Sequence, residues 1–367
     1  MNHKTFLTYP KTSKPLPTRS FQFVKPKPKL HDVSTSIHHW YEYSSIRQLR
    51  DMLQYRDGLL YGVNHKDVFS YDPKTRVKET LMSGLSFTPT CTAVNCGYVA
   101  VGGPVSQLAV RRLDNNNWYS IRFSRMHQST LCSTINNAIH IAPCKLDPSK
   151  AFLLVCNNDK CVRVFDLPEM RPIATIQVPA AVNHGKCSFL ASISPDGSML
   201  VVVGDSKDVI LYSVVPTGGY KLLDVQRLNN DAGFSCSWDT LSRSLAVATQ
   251  DGFVCIWDVR MMKDRIATLK ASQTGQRGAC RVARFTRAFG IDLLAFSEHV
   301  SCVNLYDTRN YQDNQILRVS PSDMDMSVSG IAFGEKDRSL FVGMEGQLQE
   351  YVVDHVERLC VQYASIS

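Results

Sequence analysis

From residue 58 onward the chain repeats a pair of short apolar segments. The first of each pair is nearly continuous: Gly58–Gly62 (GLLYG), Tyr98–Gly102 (YVAVG), Phe152–Cys156 (FLLVC), Met199–Gly204 (MLVVVG), Ser244–Thr249 (SLAVAT), Asp292–Ser297 (DLLAFS) and Ser339–Gly343 (SLFVG). After each comes a polar turn and then an alternating segment: VFSYD, QLAVR, VRVFD, VILYS, VCIWD, VNLYD and LQEYV. Short apolar runs and period-2 alternation, bounded by turn residues, predict β-strands. The boundaries carry that turn chemistry at Asp57-Gly58, Asp147-Pro148, Ser194-Pro195-Asp196-Gly197 and Gly334-Glu335-Lys336-Asp337. A helical spacing occurs once, where Ile46, Leu49 and Leu53 follow a capping serine in Ser45–Gln54, and it predicts one short helix.

The alternating segments end at Tyr71, Val110, Phe165, Tyr212, Trp257, Tyr306 and Tyr351, at intervals of 39, 55, 47, 45, 49 and 45 residues. A period in the forties repeated seven times marks a repeat architecture. In a radial propeller each four-stranded blade is sandwiched between neighbours, so its middle strands are covered on both faces and lose their polar positions. A pair of packed β-sheets would show no such period. The expectation is an all-β, seven-bladed propeller over residues 31–360, with Leu154, Val202, Val247, Leu294 and Phe341 each at the centre of a different blade. Residues 361–367 form a C-terminal end.

Composition fits this picture: 44% apolar and 20% charged residues describe an ordinary globular chain. No apolar run approaches the ~18 residues of a membrane span. The first residues, MNHKTFLTYPKTSKP, lack the apolar stretch of a secretory signal, so cytoplasm and nucleus are the expected compartments and the 12 cysteines are expected to stay reduced. The net charge of +8 has one source. Of 41 basic side chains, seven (Lys4, Lys11, Lys14, Arg19, Lys25, Lys27 and Lys29) fall in residues 1–30, where no acid occurs, leaving 34 against 33 acids elsewhere. A nucleic-acid binder carries a basic stripe on its folded part, and direct nucleic-acid binding is not expected here. Five prolines share the first 30 residues, which read as a flexible basic tail with Phe21–Val24 as an optional edge strand. Its KPKPK run at Lys25–Lys29 reads as solvated chain, or as a nuclear-import or partner-docking segment.

Candidate chemistry is sparse. There is no Cys-x-x-Cys pair, and Cys156, Cys255 and Cys302 fall inside strands as small core residues, so no metal is expected. Gly185-Lys186 lacks the leading glycine of a phosphate loop, with Ala180 in its place, and Gly-x-Ser-x-Gly is absent. No constellation of titratable residues suggests a catalytic residue or a cofactor, and an enzyme using the central channel lacks support.

The stretch FVCIWDVR at Phe253–Arg260 resembles the end of a WD repeat, as do VRVFDLP (Val162–Pro168) and VNLYDTR (Val303–Arg309). SISPDGSMLVVVGDSKDVILYSV (Ser192–Val214) is similar to the centre of another, and Arg281–Tyr311 resembles a segment of fungal WD-repeat proteins that lack a described function. The chain departs from the pattern in lacking any Gly-His dipeptide and in ending only one strand of seven in Trp-Asp. The resemblance implies a non-enzymatic propeller that presents its faces to other proteins. Asp258-Val259-Arg260 and Asp307-Thr308-Arg309 occupy matching ends of consecutive repeats. They resemble the paired boxes by which WD-repeat substrate receptors dock on the adaptor of cullin-4-type ubiquitin ligases. Asp258, Arg260, Asp307 and Arg309 are therefore candidate partner-binding residues, with turn capping as their structural alternative. The second functional reading is a chromatin- or histone-tail-binding propeller without a ligase role. Clustered acids at the channel mouth would favour basic-peptide capture, and exposed Arg260 and Arg309 beside an apolar patch would favour adaptor docking.

Overall fold

The computed structural model describes residues 22–31, 51–114, 118–122, 135–145, 147, 149–178, 189–215, 219–228, 231–344 and 347–354. Seven four-stranded antiparallel sheets follow one another along the chain. Blade 1 runs through Gln54–Arg56, Leu59–Asn64, Asp67–Tyr71 and Lys78–Met82. Blades 2, 3 and 4 begin at Cys91, Asn136 and Phe189 and end at Arg122, Gln177 and Arg227. Blade 5 comprises Gly233–Trp238, Ser244–Thr249, Phe253–Asp258 and Arg265–Lys270, and blade 6 comprises Val282–Phe285, Leu293–Ser297, Cys302–Asp307 and Asn314–Arg318. The expected apolar runs are the second strand of each blade and the alternating segments are the third.

Both middle strands are covered on two faces, as in Leu245–Thr249 and Val254–Trp257, so the third strand is buried despite its alternating sequence. Genuine alternation belongs to the fourth strand, such as Arg265–Lys270, where only Leu269 is buried. The hydrophobic core is divided into seven clusters, each lying between adjacent blades. Leu154, Val202, Val247, Leu294 and Phe341 are all buried at the expected positions. Between the first two strands of blades 1 and 2, Asp57-Gly58 and Cys96-Gly97 take positive φ at both residues, as a two-residue type I′ hairpin requires.

Blade 7 is assembled from both ends of the chain. Val328–Phe333, Ser339–Met344 and Gln347–Val352 supply three strands, and Lys29–His31 supplies the fourth, antiparallel to Gln347–Val352. Upstream, Phe23 and Val24 are buried between blades 6 and 7, and Val24 bridges Val353. The Gln315 side chain accepts from Val24 N at 2.8 Å and donates to Val24 O at 2.9 Å. The flexible tail drawn to residue 30 is thus corrected from Phe23 onward: apolar burial and β-pairing hold the proline-containing segment in the ring. Residues 1–21 and 361–367 lie outside the described residues.

The helix expected over Ser45–Gln54 is also corrected at its visible end. Residues 45–50 lie outside the described residues, 51–53 are not helical, and Gln54 starts a strand. Leu53 follows a different demand, packing with Leu60, Phe69, Phe341 and Leu348 between blades 7 and 1. Among the described residues the only helical segments are 3₁₀ turns at Gly275–Gly278 and Glu335–Asp337, and no helix is long and apolar enough to cross a membrane.

Candidate functional site

In each antiparallel blade the first and third strands run in the same direction, so the turns that leave them share one face of the ring. On that face of blades 5 and 6 stand the two predicted corners. Arg260 N and Nε both donate to Asp258 Oδ1 at 2.9 Å, and its Nη2 reaches Oδ2. Arg309 repeats the arrangement on Asp307, with N and Nε each 2.9 Å from Oδ1 and Nη2 against Oδ2. Each aspartate therefore caps its turn and grips the arginine two residues on. The Arg260 guanidinium holds the Asp258 carboxyl at about 2.

The two corners differ in depth. Arg260 and Asp258 side chains are 65% and 26% exposed, whereas Arg309 and Asp307 are 33% and 3% exposed. Around them on the same turns are apolar side chains left open to water: Leu241 after the first strand of blade 5, Met261 beside Arg260, and Phe289 after the first strand of blade 6. Phe289 has no packing partner to speak of, at 104% relative exposure. Single exposed apolar residues are ordinary; these three lie on turns of the same ring face as the two corners. Sequence reasoning did not single out these three, because no periodicity distinguishes a loop phenylalanine that faces solvent.

At the centre of the ring the first strands of blades 1 to 6 enclose a cavity of about 430 Å³. Arg56 comes from blade 1, Arg284 and Arg287 from blade 6, and His140 from blade 3. The carboxylate on this wall is Asp51, and both of its oxygens are taken by Arg284 Nη2. Arg56 reaches the neutral Asn95 Oδ1. Arg287 leaves blade 6 on a turn whose backbone N–H groups, at Arg287 and Ala288, are held by the Asp337 carboxylate of blade 7. Arg287 keeps an exposed side chain, yet desolvation by the surrounding wall and the charges of Arg56 and Arg284 lower its pKa below the ordinary guanidinium value, against the pull of Asp337 and Asp57. Burial likewise depresses His140 to about 4, reinforced by Arg284, Arg287 and Arg56, so its imidazole is neutral at pH 7. The Cys236 thiol on the same wall is pushed up to about 12 by burial and stays protonated.

No signal in the sequence marked Arg56, Arg284, Arg287 or His140. Arg284 and Arg287 sit in the segment that resembled fungal proteins, but their convergence with Arg56 depends on closing blade 1 against blade 7. Among the described residues no group of three His, Cys, Asp or Glu side chains is placed to hold a metal ion.

Residues 278–318 match the family described as Uncharacterised protein domain (DUF2415), a span that covers blade 6 and includes Arg284 and Arg287. The chain is 28% identical over 345 residues to an uncharacterised protein of Schizosaccharomyces pombe, covering 91% of this chain and 93% of that protein. It is also 28% identical over 251 residues to an uncharacterised protein of Saccharomyces cerevisiae, covering 57% of this chain and 32% of that one. Among solved structures, a chain in the crystal structure of the mitotic checkpoint complex superposes with a TM-score of 0.69 at 13% identity, over 96% of this chain and 99% of that chain. That likeness establishes the seven-bladed fold.

Proposed function

We propose that this chain is a non-enzymatic propeller of the WD-repeat type that recruits a protein partner through the turn face of blades 5 and 6. Within that role the partner is the adaptor of a cullin-4-type ubiquitin ligase, with the chain acting as a substrate receptor in cytoplasm and nucleus. The observation that carries the reading is the grouping on one face of Arg260 and Arg309 with the exposed Leu241, Met261 and Phe289. An arginine fixed by its own aspartate has little rotamer freedom left to lose, and its outward donors stay available for a partner's carbonyl or carboxylate. Apolar side chains around such an arginine supply the water-excluding surround in which interface hot spots are found. The solved chain similar in fold comes from the crystal structure of the mitotic checkpoint complex.

Capture of a basic histone tail in the central channel draws less support. Three arginines face one carboxylate there, a charge balance that repels lysine-rich peptide. The test is capture of the purified ligase adaptor by the full chain, compared with Arg260→Ala/Arg309→Ala and with Met261→Ala/Phe289→Ala. Each double variant should weaken capture more than tenfold while the melting temperature of Met261→Ala/Phe289→Ala stays at the wild-type value. No capture by wild type, or capture unchanged in both variants, overturns the ligase reading.

A further inference from the structure

Three guanidinium groups converge on the central cavity, and the carboxylate beside them, Asp51, is already committed to Arg284. Arg56 has only the neutral Asn95 Oδ1 within hydrogen-bond reach in the channel, and among the described residues the Arg287 guanidinium makes no hydrogen bond or ion pair. Asp337 and Asp57 attract Arg287 without forming an ion pair with it, so two guanidinium groups face the cavity without a direct charge partner. Like charges gathered in a partly enclosed, low-dielectric space repel one another and lose hydration, and a bound anion removes both costs at once.

We infer that the central channel is a binding site for a small phosphorylated organic molecule, whose phosphate is held by Arg56 and Arg287 beside the Arg284–Asp51 pair. The charge matches: a phosphomonoester carries about −1.5 to −2 at pH 7 and offers three acceptor oxygens, a fit for two guanidinium forks that lack an ion-pair partner. The size matches as well. A cavity of about 430 Å³ is far larger than one phosphate and falls within the range of roughly 300–1,000 Å³ for small-ligand sites. The remaining wall is amphipathic, with Val94, Pro143 and Pro195 accessible to an organic body and Ser237 and Thr240 to its polar groups. This site uses none of Arg260, Arg309, Met261 or Phe289, so it stands or falls separately from partner docking.

The experiment uses the full chain and three probes at constant ionic strength: inorganic phosphate, adenosine monophosphate and a phosphoserine peptide. Calorimetric titration measures affinity, and the imidazole resonances of His140 report occupancy inside the channel. Adenosine monophosphate should bind at least tenfold more tightly than inorganic phosphate. A dianion beside His140 should also raise that imidazole's apparent pKa, since it opposes the three arginines that now lower it. Arg287→Ala, on an exposed turn, should reduce the affinity at least tenfold without changing the melting temperature of the free protein, and Arg287→Lys should recover part of it. Binding confined to the phosphoserine peptide overturns the small-molecule assignment. Absence of binding by all three probes, or binding unaffected by Arg287→Ala with no His140 response, overturns the site itself.

Discussion

His31 Nε2 donates to Glu350 Oε2 at 3.0 Å across 319 positions of sequence. On its other side His31 Nδ1 lies 2.9 Å from the Tyr71 hydroxyl, which donates to it when the imidazole is neutral. One buried side chain from the N-terminal strand thus joins the third strand of blade 7 to the third strand of blade 1. Burial lowers the His31 pKa in spite of Glu350, which agrees with a neutral ring satisfied at both nitrogens. Burial alone would raise the Glu350 carboxyl, but hydrogen bonds from His31 and Ser339 and the nearby Lys29 charge bring it below its usual range.

This contact makes ring closure testable. A chain beginning at residue 32 loses the outer strand of blade 7 and the buried Phe23 and Val24, leaving Gln347–Val352 as a bare sheet edge. It should melt at least ten degrees below the full chain in differential scanning calorimetry, since ~1 kcal/mol shifts a large domain only a few degrees. His31→Ala should lower the melting temperature by several degrees, because it leaves the Tyr71 hydroxyl and the Glu350 carboxylate each short of a partner. Equal melts for the full and shortened chains would mean that the ring closes without this strand.

The blade cores give a second expectation. Leu154 and Leu294 are both fully buried, in the second strands of blades 3 and 6, and pack in different inter-blade clusters. Each leucine-to-alanine change should cost roughly 2–5 kcal/mol in denaturant unfolding, from lost transfer energy and the cavity left behind. As the two sites share no contacts, the double variant should lose close to the sum.

These positions were legible in the sequence because a strand covered on both faces has no polar alternative, and seven repeats of the same run disclose the ring. Closure was not. Lys29-Leu30-His31 is a three-residue strand preceded by prolines and lysines, and its pairing depends on a partner segment near residue 350 that no local window contains. Leu53 was misleading for a related reason: it completes a helical spacing with Ile46 and Leu49, yet its packing partners are Leu60, Phe341 and Leu348. The channel arginines were hidden in the same way. A single arginine in a strand such as Val282–Phe285 reads as a rim residue until the ring turns three of them toward one axis.

Glu298 supplies a third expectation from a residue with no sequence signal. Its carboxylate is wholly buried and accepts from Ser272 N and Oγ, Gln273 N and Nε2, and Asn304 Nδ2. It ties the turn after the second strand of blade 6 to the segment leaving blade 5. Glu298→Ala should cost about 3–5 kcal/mol in denaturant unfolding, because five donors lose a common acceptor in a buried place. Glu298→Gln keeps one carbonyl acceptor but adds two donors, so it should be intermediate. A wild-type unfolding midpoint for Glu298→Ala would show that water replaces the carboxylate at no cost.

The histidines set the acid limb of stability. An unfolded histidine takes up its proton near 6.5, while His31 does so lower and His140 only at about 4. Between those values the unfolded chain holds more protons than the folded one, so stability must fall as pH drops below about 6.5. The groups acting on His140 are Arg284, Arg287 and Arg56, and Asp51 is neutralised by its pairing with Arg284. The melting temperature should be flat from pH 8 to 7 and decline from about 6.5 towards 4. His140→Gln should make that decline shallower. An identical pH profile for wild type and His140→Gln would show that His140 stays well hydrated in the channel.

The two arginine corners, alike in sequence, should respond differently to truncation. At the blade 5 corner the pair lies largely in water, so Arg260→Ala gives up only a solvent-screened ion pair, and the Arg260 backbone N–H still caps Asp258. At the blade 6 corner Asp307 is almost wholly buried, and Arg309 is the cation that accompanies it inward. Arg309→Ala leaves that carboxylate with its backbone donor and without its charge partner, a loss of about 1–3 kcal/mol. Asp307→Ala removes the turn cap as well and should cost at least as much as Arg309→Ala. Thermal melts of the three single variants test this order: Arg260→Ala near wild type, with Arg309→Ala and Asp307→Ala several degrees lower. Equal melts for Arg260→Ala and Arg309→Ala would show that the deeper corner is solvated as freely as the shallow one. The order also bears on docking, because of these three variants only Arg260→Ala then reports lost capture free of any change in fold.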